Sequence, residues 1–160
     1  MKKTDYLALA IATCGVGYMP LAPGTFGSLL GVAIFLGLTR VAGGAILLIV
    51  AILTFIFAGI WAGTRTEEIS GGKDPGKVVV DEVAGQLIAL VPLLFLKWSI
   101  MMVMVSFILF RFFDIVKPYP ANRLQELKGG VGVMCDDLVA GAYAAIIMSV
   151  VMGVLVYGRT

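Results

Sequence analysis

VAGGAILLIVAILTFIFAGIWAGT, residues 41–64, holds no charged side chain in twenty-four consecutive positions. About 20 apolar helical residues cross the hydrocarbon core of a bilayer, so this stretch predicts a membrane span. Residues 138–158 form a second uncharged run that stops before Arg159. Two further runs, 83–96 and 98–110, are divided only by Lys97. They predict a helical hairpin whose turn places Lys97 and Trp98 at the water interface. The run 25–39 would be about 22 Å long as a helix, which is short for a crossing. The run 6–19 is shorter still and ends in Gly17-Tyr18-Met19-Pro20, which suits an interfacial or re-entrant helix. The predicted fold class is all-α: a membrane-associated helical bundle of about five to six helices, one domain over residues 1–160. A soluble bundle of unusually apolar helices is the competing reading.

Composition supports the membrane reading. The chain is 60% hydrophobic and 14% charged, with a mean hydropathy of +1.02, far more apolar than an ordinary soluble domain. A net charge of +2, with no basic tract interleaved with aromatics, argues against a nucleic-acid partner. Cys14 and Cys135 are too few for a disulfide framework and lack the CxxC spacing of a zinc site, so each reads as a small apolar residue. Lys2-Lys3 ahead of an apolar stretch resembles a signal peptide, but the stretch runs into Gly- and Pro-rich sequence, so no cleavage is expected.

The charges that remain sit at the ends of apolar runs, where charge near lipid defaults to a functional reading. Threading the helices alternately through a membrane puts the starts near 25, 82 and 137 and the end near 116 on one side. That side also collects Arg65, Lys73, Lys77, Arg111, Lys117, Arg123 and Lys128, leaving Arg40, Lys97 and Arg159 opposite. The excess of basic residues predicts that the motif face is cytoplasmic.

Pro23-Gly24-Thr25-Phe26-Gly27-Ser28 opens a helix, with Thr25 expected as its N-cap and two glycines allowing close approach to backbone. Such an end offers free N–H groups to an anion; a plain capped helix start is the alternative. Asp81-Glu82 and Asp136-Asp137 are acidic pairs expected at helix starts, each followed one turn later by small residues, Ala84-Gly85 and Ala140-Gly141. One Asp per helix would serve capping, and a second gains little. Close packing at the small residues would bring up to four carboxylates together, which is repulsive unless cations neutralise them. Hard oxygen donors without imidazole or thiolate suit Mg²⁺, with Mn²⁺ as a substitute. Arg111, Asp114 and Lys117 recur every three residues along one helix face, and Pro118 ends that helix. Arg offers a planar fork and Lys a point charge for phosphate oxygens; a structural Arg–Asp pair is the alternative. Residues 128–132 read as a flexible Gly-rich loop leading to Asp136.

With PGTFGS, DE-x-x-G, FR-x-x-D-x-x-KPYP and GG-x-G-x-x-x-DD-x-x-AG in order from about Leu21 to Gly141, the chain resembles the phosphatidylglycerophosphatase A family. The resemblance implies a Mg²⁺-dependent phosphatase of the bacterial cytoplasmic (inner) membrane, multi-pass, acting on phosphatidylglycerophosphate to give phosphatidylglycerol. It carries over Asp81, Glu82, Arg111, Asp114, Lys117, Asp136 and Asp137, and the loop residues Gly24, Thr25, Gly27 and Ser28.

Elimination among phosphatase chemistries agrees. Histidine is absent, neither cysteine begins Cys-x₅-Arg, and there is no Asp-x-Asp. Phosphate held by Arg111, Lys117 and backbone, with metal offsetting charge, is what remains. Asp81, Asp136 and Asp137 are the expected metal core, with Glu82 assisting and Asp114 as general base or orienter of Arg111. Asp81, Asp114 and Asp137 are the candidate catalytic carboxylates. Whether water or an Asp attacks phosphorus stays open. The rival class is an ion or proton transporter using the same carboxylates, although transport sites usually lie near the midplane of the bilayer.

Overall fold

A computed structural model describes residues 2–73, 75–95 and 98–157, the side chains of 155–157 excepted. Helices account for all of its regular structure among these residues: α1 (Lys3–Thr13), α2 (Pro23–Leu38), α3 (Gly44–Ser70), α4 (Val80–Leu90), α5 (Ile100–Val116), the single-turn α6 (Ala121–Leu124) and α7 (Gly130–Tyr157). A 3₁₀ turn, Val91–Leu94, extends α4 toward α5 and so forms the predicted hairpin. Lys97, expected at its tip, and Arg159, expected on the same membrane face, lie outside the described residues.

Two helices are long and apolar enough to cross a bilayer, α3 and residues 130–154 of α7. Only 22% and 33% of their apolar windows are buried inside the protein, whereas the core helix of a soluble bundle would be mostly covered. Ile46, Ile49, Val50, Leu53 and Phe57 of α3 and Ile146, Val150 and Val154 of α7 are instead exposed. An apolar surface this extensive needs an apolar solvent. At 16 residues, or about 24 Å, α2 is short, as expected from its sequence.

Small residues set how closely the helices approach. α4 lies between α2 and α7. A Cβ on Gly141 would strike the Gly85 carbonyl oxygen, and one on Gly85 would meet both the Asp137 carbonyl and the Phe110 ring. This is the small-residue contact predicted for Ala84-Gly85 and Ala140-Gly141. Around it, Phe35, Leu48, Val83, Leu87, Leu90, Leu93, Val103 and Met148 form the main core, all essentially buried. α1 is pinned to α3 by Asp5, whose Oδ1 accepts from Arg65 Nε at 3.0 Å and Nη2 at 2.8 Å. The Lys2 N–H and then the Arg65 guanidinium hold the Asp5 carboxyl below its ordinary pKa.

Two boundaries differ from the sequence reading. α7 begins at Gly130, so residues 130–132 are helix rather than loop. The Gly130 N–H donates to Thr64 Oγ1 at 2.8 Å, and close contact with Ile60 of α3 supports a glycine-rich turn that would be weak alone. Asp136 and Asp137 are therefore the seventh and eighth residues of α7 rather than its first. Finally, Ala22 rather than Thr25 is the N-cap of α2, in a left-handed conformation (φ 48°), with Pro23 taking the first helical position it favours.

The ends of α3 and α6 lie on the side of the α2 and α4 starts, and the end of α2 lies opposite. Cysteines placed singly at Ser70 and Gln125, in a background lacking Cys14 and Cys135, should therefore react with an impermeant thiol reagent from the same side of the membrane. A cysteine at Thr39 should react from the other side. Labelling of Ser70 and Gln125 from opposite sides would break this arrangement of the bundle.

Candidate active site

The start of α4, the start of α2, the end of α5 and the second turn of α7 meet around a cavity of about 250 Å³. Ala22, Pro23 and Gly24, Gly76 and Val78, and the ionisable side chains of Asp81, Glu82, Arg111, Asp114, Lys117, Asp136 and Asp137 line it. All seven charged candidates from the sequence thus converge. Of the PGTFGS residues, Pro23 and Gly24 reach the wall, while Thr25, Gly27 and Ser28 do not. A Cβ on Gly24 would strike Glu82 Oε1, and one on Gly27 would come within 2.9 Å of Val79, so both glycines let α2 press against α4. Ser28 acts from behind the wall: its hydroxyl donates to the Gly24 carbonyl at 2.9 Å and accepts from Arg111 Nη1 at 3.3 Å.

One ligand oxygen each from Asp81, Glu82 and Asp137 lies within 4.8 Å of the others. At an effective dielectric near 20, two unit charges at that separation repel by about 3 kcal/mol. Glu82 Oε2 is buried without a hydrogen-bond partner, while Asp81 Oδ1 accepts the Glu82 N–H at 3.1 Å. Burial pushes the Glu82 carboxyl above its ordinary pKa and the Asp114 charge adds to this, while hydrogen bonding with Asp81 and the Arg111 charge oppose it. Five carboxylates and two cations line the cavity, an excess of three negative charges if all are ionised. Protonation or a bound cation must relieve that excess, and three converging buried oxygens provide the donor set for a hard divalent ion.

The two cations are each held by a carboxylate. Arg111 Nη1 lies 2.6 Å from Asp114 Oδ2, one turn along α5. Lys117 Nζ pairs with Asp136 Oδ2 and also donates to Gln125 Oε1 at 3.2 Å. Burial works against the Lys117 charge, but the hydrogen bond and charge of Asp136, with the charges of Asp137 and Asp114, together hold the ammonium above its ordinary pKa. Lys117 itself leaves the right-handed helix for a left-handed conformation (φ 46°) just before Pro118, which turns its side chain out of the α5 register. Asp136 therefore shares the cavity with the acidic trio but is engaged with Lys117, a division between the paired aspartates that their adjacency in sequence does not reveal.

Other features escaped the sequence. Gly76 and Val78 line the cavity; the Pro75-Gly76 turn marks the segment in sequence, while the hydrogen bond from the Val79 N–H to the Ala12 carbonyl, at 2.8 Å, and the packing of Val78 in the core hold it there. Gln86, one turn beyond Glu82, is fully buried with neither side-chain amide atom hydrogen-bonded. Burial, and behind it the Glu82 charge, push the Cys14 thiol pKa up to about 11, the opposite of the shift that activates a cysteine.

The fold is that of a membrane-associated all-helical bundle with exposed apolar flanks and a cavity of paired acidic and basic side chains at its helix ends. A family model described as phosphatidylglycerophosphatase A matches residues 9–152. The chain belongs to the phosphatidylglycerophosphatase A family, and it is a lipid phosphatase. It is 38% identical to phosphatidylglycerophosphatase A of Haemophilus influenzae, over 84% of this chain and 81% of that protein. With the Escherichia coli protein of the same name it shares 33% identity, over 82% of this chain and 74% of the relative. It is also 41% identical to a Bacteroides thetaiotaomicron protein named "Putative phosphatidylinositol-3-phosphatase", over 97% of this chain and 99% of that one. No solved structure matches the chain.

Arg111 lines the cavity with its guanidinium paired to Asp114 and hydrogen-bonded to Ser28. Arg111→Lys keeps the charge and loses the fork, and should lower kcat/KM for a lipid phosphate roughly 10- to 100-fold without unfolding the protein. Near-normal kinetics in that variant would mean that Arg111 only balances the Asp114 charge.

Proposed function

We propose that the chain hydrolyses the terminal phosphomonoester of phosphatidylglycerophosphate, releasing phosphatidylglycerol and inorganic phosphate. The observation that carries this reading is the juxtaposition of the acidic trio Asp81, Glu82 and Asp137 with the Arg111–Asp114 and Lys117–Asp136 pairs in one cavity. The names of the Haemophilus influenzae and Escherichia coli relatives supply the head group.

The phosphoryl oxygens are bound by Arg111 and Lys117, with the α2 start at Gly24 beside them. Asp114 and Asp136 orient those two cations. Asp81, Glu82 and Asp137 would hold a divalent ion, with Asp136 adjoining; hard oxygen donors favour Mg²⁺, with Mn²⁺ as a substitute. Such an ion, when bound, offsets the negative charge of the phosphoryl group. Water attacks phosphorus in line with the glycerol oxygen, and Asp114 takes a proton from that water. The bond between phosphorus and the glycerol oxygen breaks, the departing oxygen takes a proton from solvent water to become the alcohol, and Asp114 gives its proton back to solvent. The cavity faces the cytoplasm of a bacterial inner membrane that the chain crosses several times, consistent with the basic residues gathered on that side.

A second reading differs only in head group. The Bacteroides thetaiotaomicron relative is named for an inositol 3-phosphate lipid and matches this chain along nearly all of its length. Both substrates present a phosphomonoester on a polyol at the membrane surface, and the charged cavity suits either. Phosphate release by purified protein should be measured on phosphatidylglycerophosphate, phosphatidylinositol 3-phosphate and phosphatidic acid, with Mg²⁺ and after chelation. The expected result is release fastest from phosphatidylglycerophosphate and lost on chelation. Preference for the inositol lipid would support the second reading. No release from any of the three would remove the proposed reaction and return the carboxylates to an ion pathway.

A further inference from the structure

The seam between α2 and α5 holds a second cavity that the phosphate chemistry does not use. Leu29 and Val32 of α2 and Ile100, Met104, Phe107 and Ile108 of α5 line a groove of about 330 Å³ in which every lining side chain is apolar. Leu29, Ile100, Met104 and Ile108 are exposed, so the groove opens on the lipid-facing surface rather than into the core.

Helix geometry joins this groove to the charged cavity. On α5, residues 100, 104, 107 and 111 follow one another at spacings of four, three and four, so Arg111 stands at the head of the same stripe. On α2, Leu29 follows Ser28, whose hydroxyl accepts from Arg111, and Val32 lies one turn below Ser28. From residue 100 to residue 111 the α5 axis rises about 16 Å. The seam therefore presents a guanidinium and carboxylates at one end and an unbroken apolar trough beneath them. That is the order of polarity along a phospholipid lying with its head group at the interface.

We propose that this groove seats one acyl chain of the lipid phosphate while the phosphomonoester enters the charged cavity beside Arg111. The proposal rests on the lipid phosphomonoester reading given above. An acyl chain moving from bilayer to groove exchanges one apolar surrounding for another, so the groove contributes little affinity. Its contribution is register: it fixes the depth and direction from which the head group reaches Arg111, and binding energy used for positioning appears in turnover.

Photolabelling tests this directly. The probe is a diacyl lipid phosphomonoester with a diazirine midway along one chain, compared in mixed micelles with the matched diacylglycerol that lacks phosphate. Adducts at Leu29 and Met104 should be several-fold more abundant with the phosphate-bearing probe. Equal labelling by the two probes would overturn the proposal, because it would reflect ordinary contact with hydrocarbon. Groove-filling variants give a second readout. Val32→Trp and Met104→Trp should lower kcat/KM about tenfold for a long-chain substrate and leave a water-soluble glycerol phosphomonoester within about twofold of wild type. Equal effects on both substrates would contradict an acyl-chain role. Phosphate-dependent labelling without release from any lipid phosphate would sink the proposed reaction and leave the groove standing. Normal release with equal labelling would sink the groove alone.

Discussion

The contact between Gly85 on α4 and Gly141 on α7 is the constraint on which the remainder of the structure depends. No side chain separates the two backbones there, so the acidic first turn of α4 and Asp137 are forced into one space. Carboxylates so placed repel each other, and burial removes the water that would screen them. The helix contact stores that repulsion, and neutralising charge releases it. Arg111 and Lys117 meet part of the need through their pairs with Asp114 and Asp136. The trio of Asp81, Glu82 and Asp137 brings three more carboxylates together, and Glu82 Oε2 among them is buried without a partner.

The same packing explains how a polar site can exist on so apolar a chain. The charged cavity occupies helix ends, while α3, α5 and α7 present exposed apolar side chains along their lengths. A phosphorylated lipid meets a protein in that order. Ser28 links the two levels: its hydroxyl steadies Arg111 above, and its neighbours on α2 continue into the apolar seam.

Much of this was legible from residues alone. Uncharged runs marked the long helices, and acidic pairs followed by small residues marked where helices meet. Local turn chemistry was misleading where tertiary contacts outweighed it. Gly129-Gly130-Val131-Gly132 reads as a loop because glycine is a poor helix former, yet Thr64 and Ile60 of α3 support a helix from Gly130. That shift moved Asp136 and Asp137 from a capping position to the second turn. Thr25 is a good cap by type, but Pro23 took the first helical position and left the cap to Ala22. The pairing of Lys117 with Asp136 and of Arg111 with Ser28 spans 19 and 83 residues, so only the folded chain brings those partners together.

The central claim is that the acidic trio binds a divalent cation, and direct titration of Mn²⁺ tests it most closely. Paramagnetic resonance of free Mn²⁺ in detergent-solubilised protein reports binding without any assumption about the substrate. The account predicts saturable binding by the wild type, displaced by Mg²⁺, and its loss in Asp137→Asn with helical content unchanged. Undiminished Mn²⁺ binding in folded Asp137→Asn and Glu82→Gln variants alike would contradict it.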